Sequence, residues 1–380
     1  MEQAADEAVT DAAAPTASAP DAPAAATRTA TVAGPRRRRK LAFDLTVLGI
    51  VGVLFLGAVG ATSGVLYRQL YSPTAFVLDY LHLLADGRAA DALLVPGVSA
   101  TSKDLAAAGL PADASAALLR STTLTPLSEV EPVSEEADAD GTVSVAVTYR
   151  VGGHAGETTF EVERDEEEGG ILPRWRFAQS PLAVIELGVR GSMQFQVNGF
   201  EIDKRQVSPD GEDADPLEPI RMLAFSPGLY SITVDTAATT SPGVAVLSDT
   251  PLAEIPVSFQ AEPTDEFVGV VQREVDAFLA ECATQKVLQP TGCPFGYYVR
   301  NRIVEPPTWS MEENPVVTLE PDGAGWAITR TQAVAKIDVQ IQSIFDGSIY
   351  PVTELVPFFL TGKISILPDG TASIAVSAAD

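Results

Sequence analysis

The chain has 380 residues, 46% of them hydrophobic, and carries 51 Asp and Glu against 25 Lys and Arg, a net charge of −26. That excess of negative charge argues against nucleic acid and anionic lipid headgroups as partners, because like charges repel. Two histidines and two cysteines are too few and too scattered for a typical zinc site.

Residues 1–40 are an Ala/Pro-rich tail with almost no large apolar side chains, predicted to be disordered in the cytoplasm. The tail ends in the basic cluster Arg36, Arg37, Arg38, Arg39 and Lys40. An uncharged, mostly apolar run over 45–66 follows, and its length of about 33 Å as a helix suits a hydrocarbon core of roughly 30 Å. Residues 41–67 are therefore read as one transmembrane helix. The basic cluster keeps the N-terminus inside and places the rest of the chain outside the plasma membrane. A cleaved signal peptide fits less well, because the run exceeds the usual apolar core of roughly 7–15 residues. Gly57, Gly60 and Gly64 lie near one helical face at the small-residue spacing of a dimer contact, hence a possible homodimer through the span.

Residues 67–380 hold 19 basic and 45 acidic residues, so the net charge belongs to them. The first outer module, 68–187, opens with Ser72 and Pro73 as helix cap and first turn. Phe76, Val77, Tyr80, Leu81 and Leu84 then recur at helical spacing until Asp86 and Gly87. Shorter Ala/Leu segments run to about residue 120. Strands are predicted over 142–151, 157–164 and 171–179, with a Glu/Gly hairpin loop at 166–170. Residues 188–263 lack helical period; short strands at 193–197, 222–224, 230–234 and 255–259, split by turn clusters, predict a small all-β sandwich module.

The module at 264–380 opens with a second helix, on the stripe Phe267, Val271, Val275, Phe278 and Cys282. Ten residues separate Cys282 from Cys293. In an oxidising compartment that pair reads as a disulfide. Strands are predicted at 296–304, 316–319, 326–331, 335–343, 358–366 and 371–376. The fold class is thus a membrane-anchored α+β chain, with two helix-plus-antiparallel-sheet modules flanking the β-module.

The stretch 72–94, SPTAFVLDYLHLLADGRAADALL, resembles the opening helix of extracytoplasmic NTF2-like or cystatin-like domains. Trp175, Arg176 and Phe177, with Pro181 and Leu182, are similar to the terminal strand of that unit. Val197, Asn198 and Gly199, together with residues 227–234, resemble PEGA-type β-modules. The order of tail, span and tandem outer modules looks like that of teicoplanin-resistance-associated membrane proteins, without their cytoplasmic zinc ribbon, since no cysteine precedes Cys282. The resemblance implies folds and transfers no functional residue.

The chain has no nucleophile motif, and no cysteine lies near a histidine that could act as its base. An NTF2-like cone would place Asp79, Tyr80 and Trp175 near its mouth, but packing is the ordinary role of such aromatic residues. Glu136, Asp138 and Asp140 before Gly141 match the first half of a calcium loop, yet Val147 stands where a carboxylate is needed, which leaves an acidic turn. The acidic loop at 210–215 reads the same way. Trp309 and Trp326 read as sheet core, with a glycan-gripping pair as the alternative. No catalytic, cofactor-binding or metal-binding residue is therefore expected. The reading is a non-enzymatic single-pass membrane protein whose outer part binds or scaffolds an envelope protein or cell-wall component. The alternative is an enzyme or small-ligand binder using a cone pocket.

Overall fold

A computed structural model describes residues 46–53, 71–165, 174–367 and 371–379. The chain divides into two units, Met1–Gly64 and Val65–Asp380. In the first, residues 46–53 are helical and exposed throughout. Eight residues rise only about 12 Å. Among the described residues no helix is long and apolar enough to cross a membrane, which overturns the reading of 41–67 as a spanning helix. The rest of that run lies outside the described residues, as do the tail with Arg36–Lys40, the glycines Gly57, Gly60 and Gly64, and the loop at 166–170.

The expected membrane-anchored α+β class is corrected as well: the fold is mostly β, with 44% strand and 21% helix among the described residues. Among the described residues of the second unit only two helices exceed six residues. The Ala/Leu segments before residue 120 give short turns of helix, and strands run longer than their sequence breaks suggested.

Helix α1 (Pro73–Ala85) starts where Ser72 Oγ accepts a bond from Ala75 N at 3.0 Å. It buries Val77, Tyr80, Leu81 and Leu84. The short helices α2 (Ala89–Ala92) and α3 (Ser102–Ala107) follow, the latter closed by a Thr101–Asp104 capping box. Four antiparallel strands in chain order then form a sheet: β1 (Leu127–Ala137), β2 (Val143–Val151), β3 (His154–Arg164) and β4 (Trp175–Phe177). In β2 the alternate residues Val143, Val145, Val147, Tyr149 and Val151 are buried, the two-residue period of a half-buried strand. Tyr80 sits at the centre of this core, with Phe160 and Phe177 packed edge-on at 6.2 and 5.1 Å.

Strand β5 (Leu182–Arg190) leads into a second core and spans residues on both sides of position 187. The remaining elements of this part are β6 (Gln194–Val197), β7 (Phe200–Asp203), α4 (Lys204–Val207), β8 (Ile220–Phe225), β9 (Gly228–Thr233), β10 (Thr239–Thr240), β11 (Val244–Ser248), β12 (Glu254–Gln260) and β13 (Glu262–Pro263). β5 lies between β8, antiparallel, and β12, parallel; a second sheet runs β11-β9-β6-β7. Side chains from both sheets, among them Ile185, Leu187, Phe195, Met222, Tyr230 and Ile232, share one core. Tyr80 Oη donates to Ser226 O at 3.1 Å, and Asn198 Nδ2 to Thr123 O at 2.6 Å, so polar bonds tie this core to the preceding one.

Thr264 caps helix α5 (Asp265–Ala283), its Oγ1 accepting from Phe267 N at 3.1 Å. α5 covers a sheet whose spine is the hairpin of β17 (Gly325–Gln342) and β18 (Ile349–Ile366). β14 (Arg302–Ile303), β15 (Thr308–Glu313) and β16 (Leu319–Asp322) all pair with β17, while β19 (Ala372–Ala378) pairs with the end of β18. The alternation along β17 buries Ala333, Ala335, Ile337, Val339 and Ile341 under the helix.

Candidate interaction surface

Most side chains singled out in the sequence are structural. Cys282 ends the buried stripe of α5, and its Sγ lies 2.03 Å from Cys293 Sγ in the following loop. Tyr80 is fully buried, and burial pushes its phenol well above the usual range. Trp175 Nε1 donates to Tyr71 O at 2.9 Å. Trp309 is buried, packs at a tilt against Phe295 with ring centres 4.9 Å apart, and donates Nε1 to Val287 O at 2.8 Å. Trp326 is buried too, so the two tryptophans form no exposed pair. Asp79 and His82 are exposed on α1, and His154 is exposed at the start of β3. Glu136 and Ala137 end β1, and Asp138–Gly141 is the turn into β2, with Thr142 N donating to Asp140 Oδ1 at 3.1 Å. Among the described residues no three metal-ligating side chains come together.

Two features were not visible in sequence. Lys204 is completely buried in the β-module, where Nζ donates to Val189 O at 2.8 Å and to Pro216 O at 2.6 Å. Burial pulls its pKa down to about 8, with the Asp215 carboxylate opposing. An open cleft of about 350 Å³ lies along β6 and β7, its polar lining Gln194, Gln196, Glu201, Asp203, Gln206 and Asp235. One of those carboxylates, Asp203, is occupied by Arg205, whose Nε donates to its Oδ1 at 2.9 Å; that bond holds the carboxyl below its usual range.

The other feature is the far end of the β17–β18 hairpin. Ser343 N donates to Ser348 O at 2.9 Å, and Gly347 N donates to Ser343 O at 3.0 Å. Ser343 Oγ accepts from Phe345 N at 3.2 Å, while Asp346 Oδ1 accepts from Ser348 N at 3.2 Å. Side-chain hydrogen bonding from Ser343 first, then from Ser348, holds the Asp346 carboxyl below its ordinary pKa. Gly347 takes φ +76°, which its missing Cβ permits. This well-bonded turn presents Ile344 and Phe345 at 75% and 97% exposure.

The apolar surface continues from the tip onto the strand. Paired residues share a face, so Arg302, Gln342 and Ile349 form one row on the side of the sheet away from α5. Down β18 that face reads Ile349, Pro351, Thr353, Leu355 and Pro357, all exposed and none charged. In a chain of net charge −26 this is an unusual stretch. Burying Ile344 or Phe345 against a partner recovers about 1.5–3 kcal/mol each.

No family model, no curated protein and no solved structure matches this chain.

Proposed function

We propose that the chain is a non-enzymatic protein that binds or scaffolds a protein or cell-wall component outside the cytoplasm. The supporting observation is the ordered hairpin tip that carries Ile344 and Phe345 into solvent, continuous with the uncharged face of β18. Interfaces concentrate their energy in a few aromatic and apolar anchors held in a fixed conformation, and Phe345 on its bonded turn has that form. The Cys282–Cys293 pair supports an oxidising compartment. A small-ligand binder is the second reading, favoured by the cleft beside β6 and β7.

The test is genetic and compares two double variants with a deletion in the native cell. Ile344→Ser with Phe345→Ser should reproduce the deletion while protein amount and folding stay normal. If that variant behaves as wild type while His82→Ala with His154→Ala reproduces the deletion, the binding reading fails and an enzymatic one replaces it.

A further inference from the structure

β18 is longer than its partner on one side. β19 pairs with residues 360–366, and beyond it Ala379 N donates to Phe359 O. From residue 349 to 358 no strand among the described residues pairs with that edge, which extends over roughly 34 Å of backbone. Open edges of this length invite another strand, and a second copy of the same chain is always available.

Direction along the strand follows from one bond. Phe359 offers its carbonyl to the β19 side, and backbone groups alternate in a strand, so residues 357, 355, 353 and 351 also face the open side. The register with β17 is unbroken from Phe359 to Ile349, so the alternation holds throughout. Two of those four positions are Pro351 and Pro357, which have no N–H to give. At the intervening positions, which bond to β17, a proline would break the existing ladder; none occurs from 350 to 358. Both prolines thus fall on the parity where they leave the hairpin intact and spoil only an added strand.

We infer that Pro351 and Pro357 close the free edge of β18 to strand addition by a second copy of this chain. Contacts at this end of the molecule are then made by side chains of the tip and outer face, and the hairpin does not extend into a shared sheet.

The test uses the full chain with Thr353→Cys as an edge reporter, the only free thiol because both native cysteines are bonded to each other. In the reporter alone, oxidation should link few copies. Adding Pro351→Thr and Pro357→Thr should raise the edge-linked dimer at least about tenfold. A further Leu355→Lys, which puts a charge on that edge, should return it to the starting level; misfolding would not be reversed this way. Linkage already abundant with both prolines present overturns the inference. So does a double-proline variant that keeps the wild-type circular dichroism spectrum and links no more than the reporter.

Discussion

Replacing Lys204 with methionine and then varying pH separates the two things its ammonium does. Nζ supplies hydrogen bonds to the carbonyls of Val189 and Pro216, and it places a charge in a dry core. The folded pKa is about 8, against roughly 10.4 for an unfolded lysine. Because the folded value is the lower one, the folded chain gives up its proton first. Between pH 8 and about 10.4 the unfolded chain holds one more proton, so stability rises with pH across that window and is flat below it. At about 1.36 kcal/mol per pKa unit the gain reaches at most about 3 kcal/mol. Methionine removes the titration and the charge but strips donors from carbonyls, a loss of about 1–3 kcal/mol for each group left unpaired. The two effects offset near neutrality, so Lys204→Met should lie within about 2 kcal/mol of wild type at pH 7. By pH 10 wild type should have gained up to about 3 kcal/mol on the variant. Urea unfolding followed by far-ultraviolet circular dichroism at pH 7, 8, 9 and 10 measures this. A difference that stays constant across the series would refute the reasoning, because it would mean that Lys204 keeps its ordinary pKa inside the core.

Three further changes test the fold and the surface. Cys282→Ser with Cys293→Ser should cost about 3 kcal/mol, the chain-entropy value for a loop this short, and hydrogen exchange should show the loss in α5 and its loop first. Gly97→Ala should cost at least about 2 kcal/mol in thermal unfolding, since Gly97 has φ +82° and an added Cβ would sit 2.7 Å from Phe177 N, against fixed backbone. Phe345→Ser should change stability by less than about 0.5 kcal/mol, because that ring is in water already.

What the sequence revealed depended on whether burial followed a local period. Phe267, Val271, Val275 and Cys282 are buried on α5 as their spacing implies. Leu279 takes the place expected of Phe278, since a 3.6-residue turn lets either follow Val275 on that face. β1 escaped notice because it is an almost wholly exposed, Glu-rich strand with Pro132 inside it. The parallel pairing of β5 with β12 joins Val184 to Glu254, and nothing local announces a contact of that range. β18 is the most instructive case. The sequence predicts no strand over 349–357, where Pro351 and Pro357 stand, yet both prolines face the open side and leave the β17 ladder whole. The neighbouring tip carries no local signal either: nothing in the order of residues marks Ile344 and Phe345 as exposed, and only the turn geometry shows them standing in water.

Site-specific photo-crosslinking tests the central claim most directly. A benzophenone amino acid replaces Phe345 in one strain and Lys363, an exposed residue remote from the turn, in another. After irradiation of intact cells, the account predicts a discrete adduct from position 345, absent from position 363 and lost when Ile344→Ser is added. Equal labelling from both positions, or no adduct from position 345 in cells that contain the protein, would contradict it.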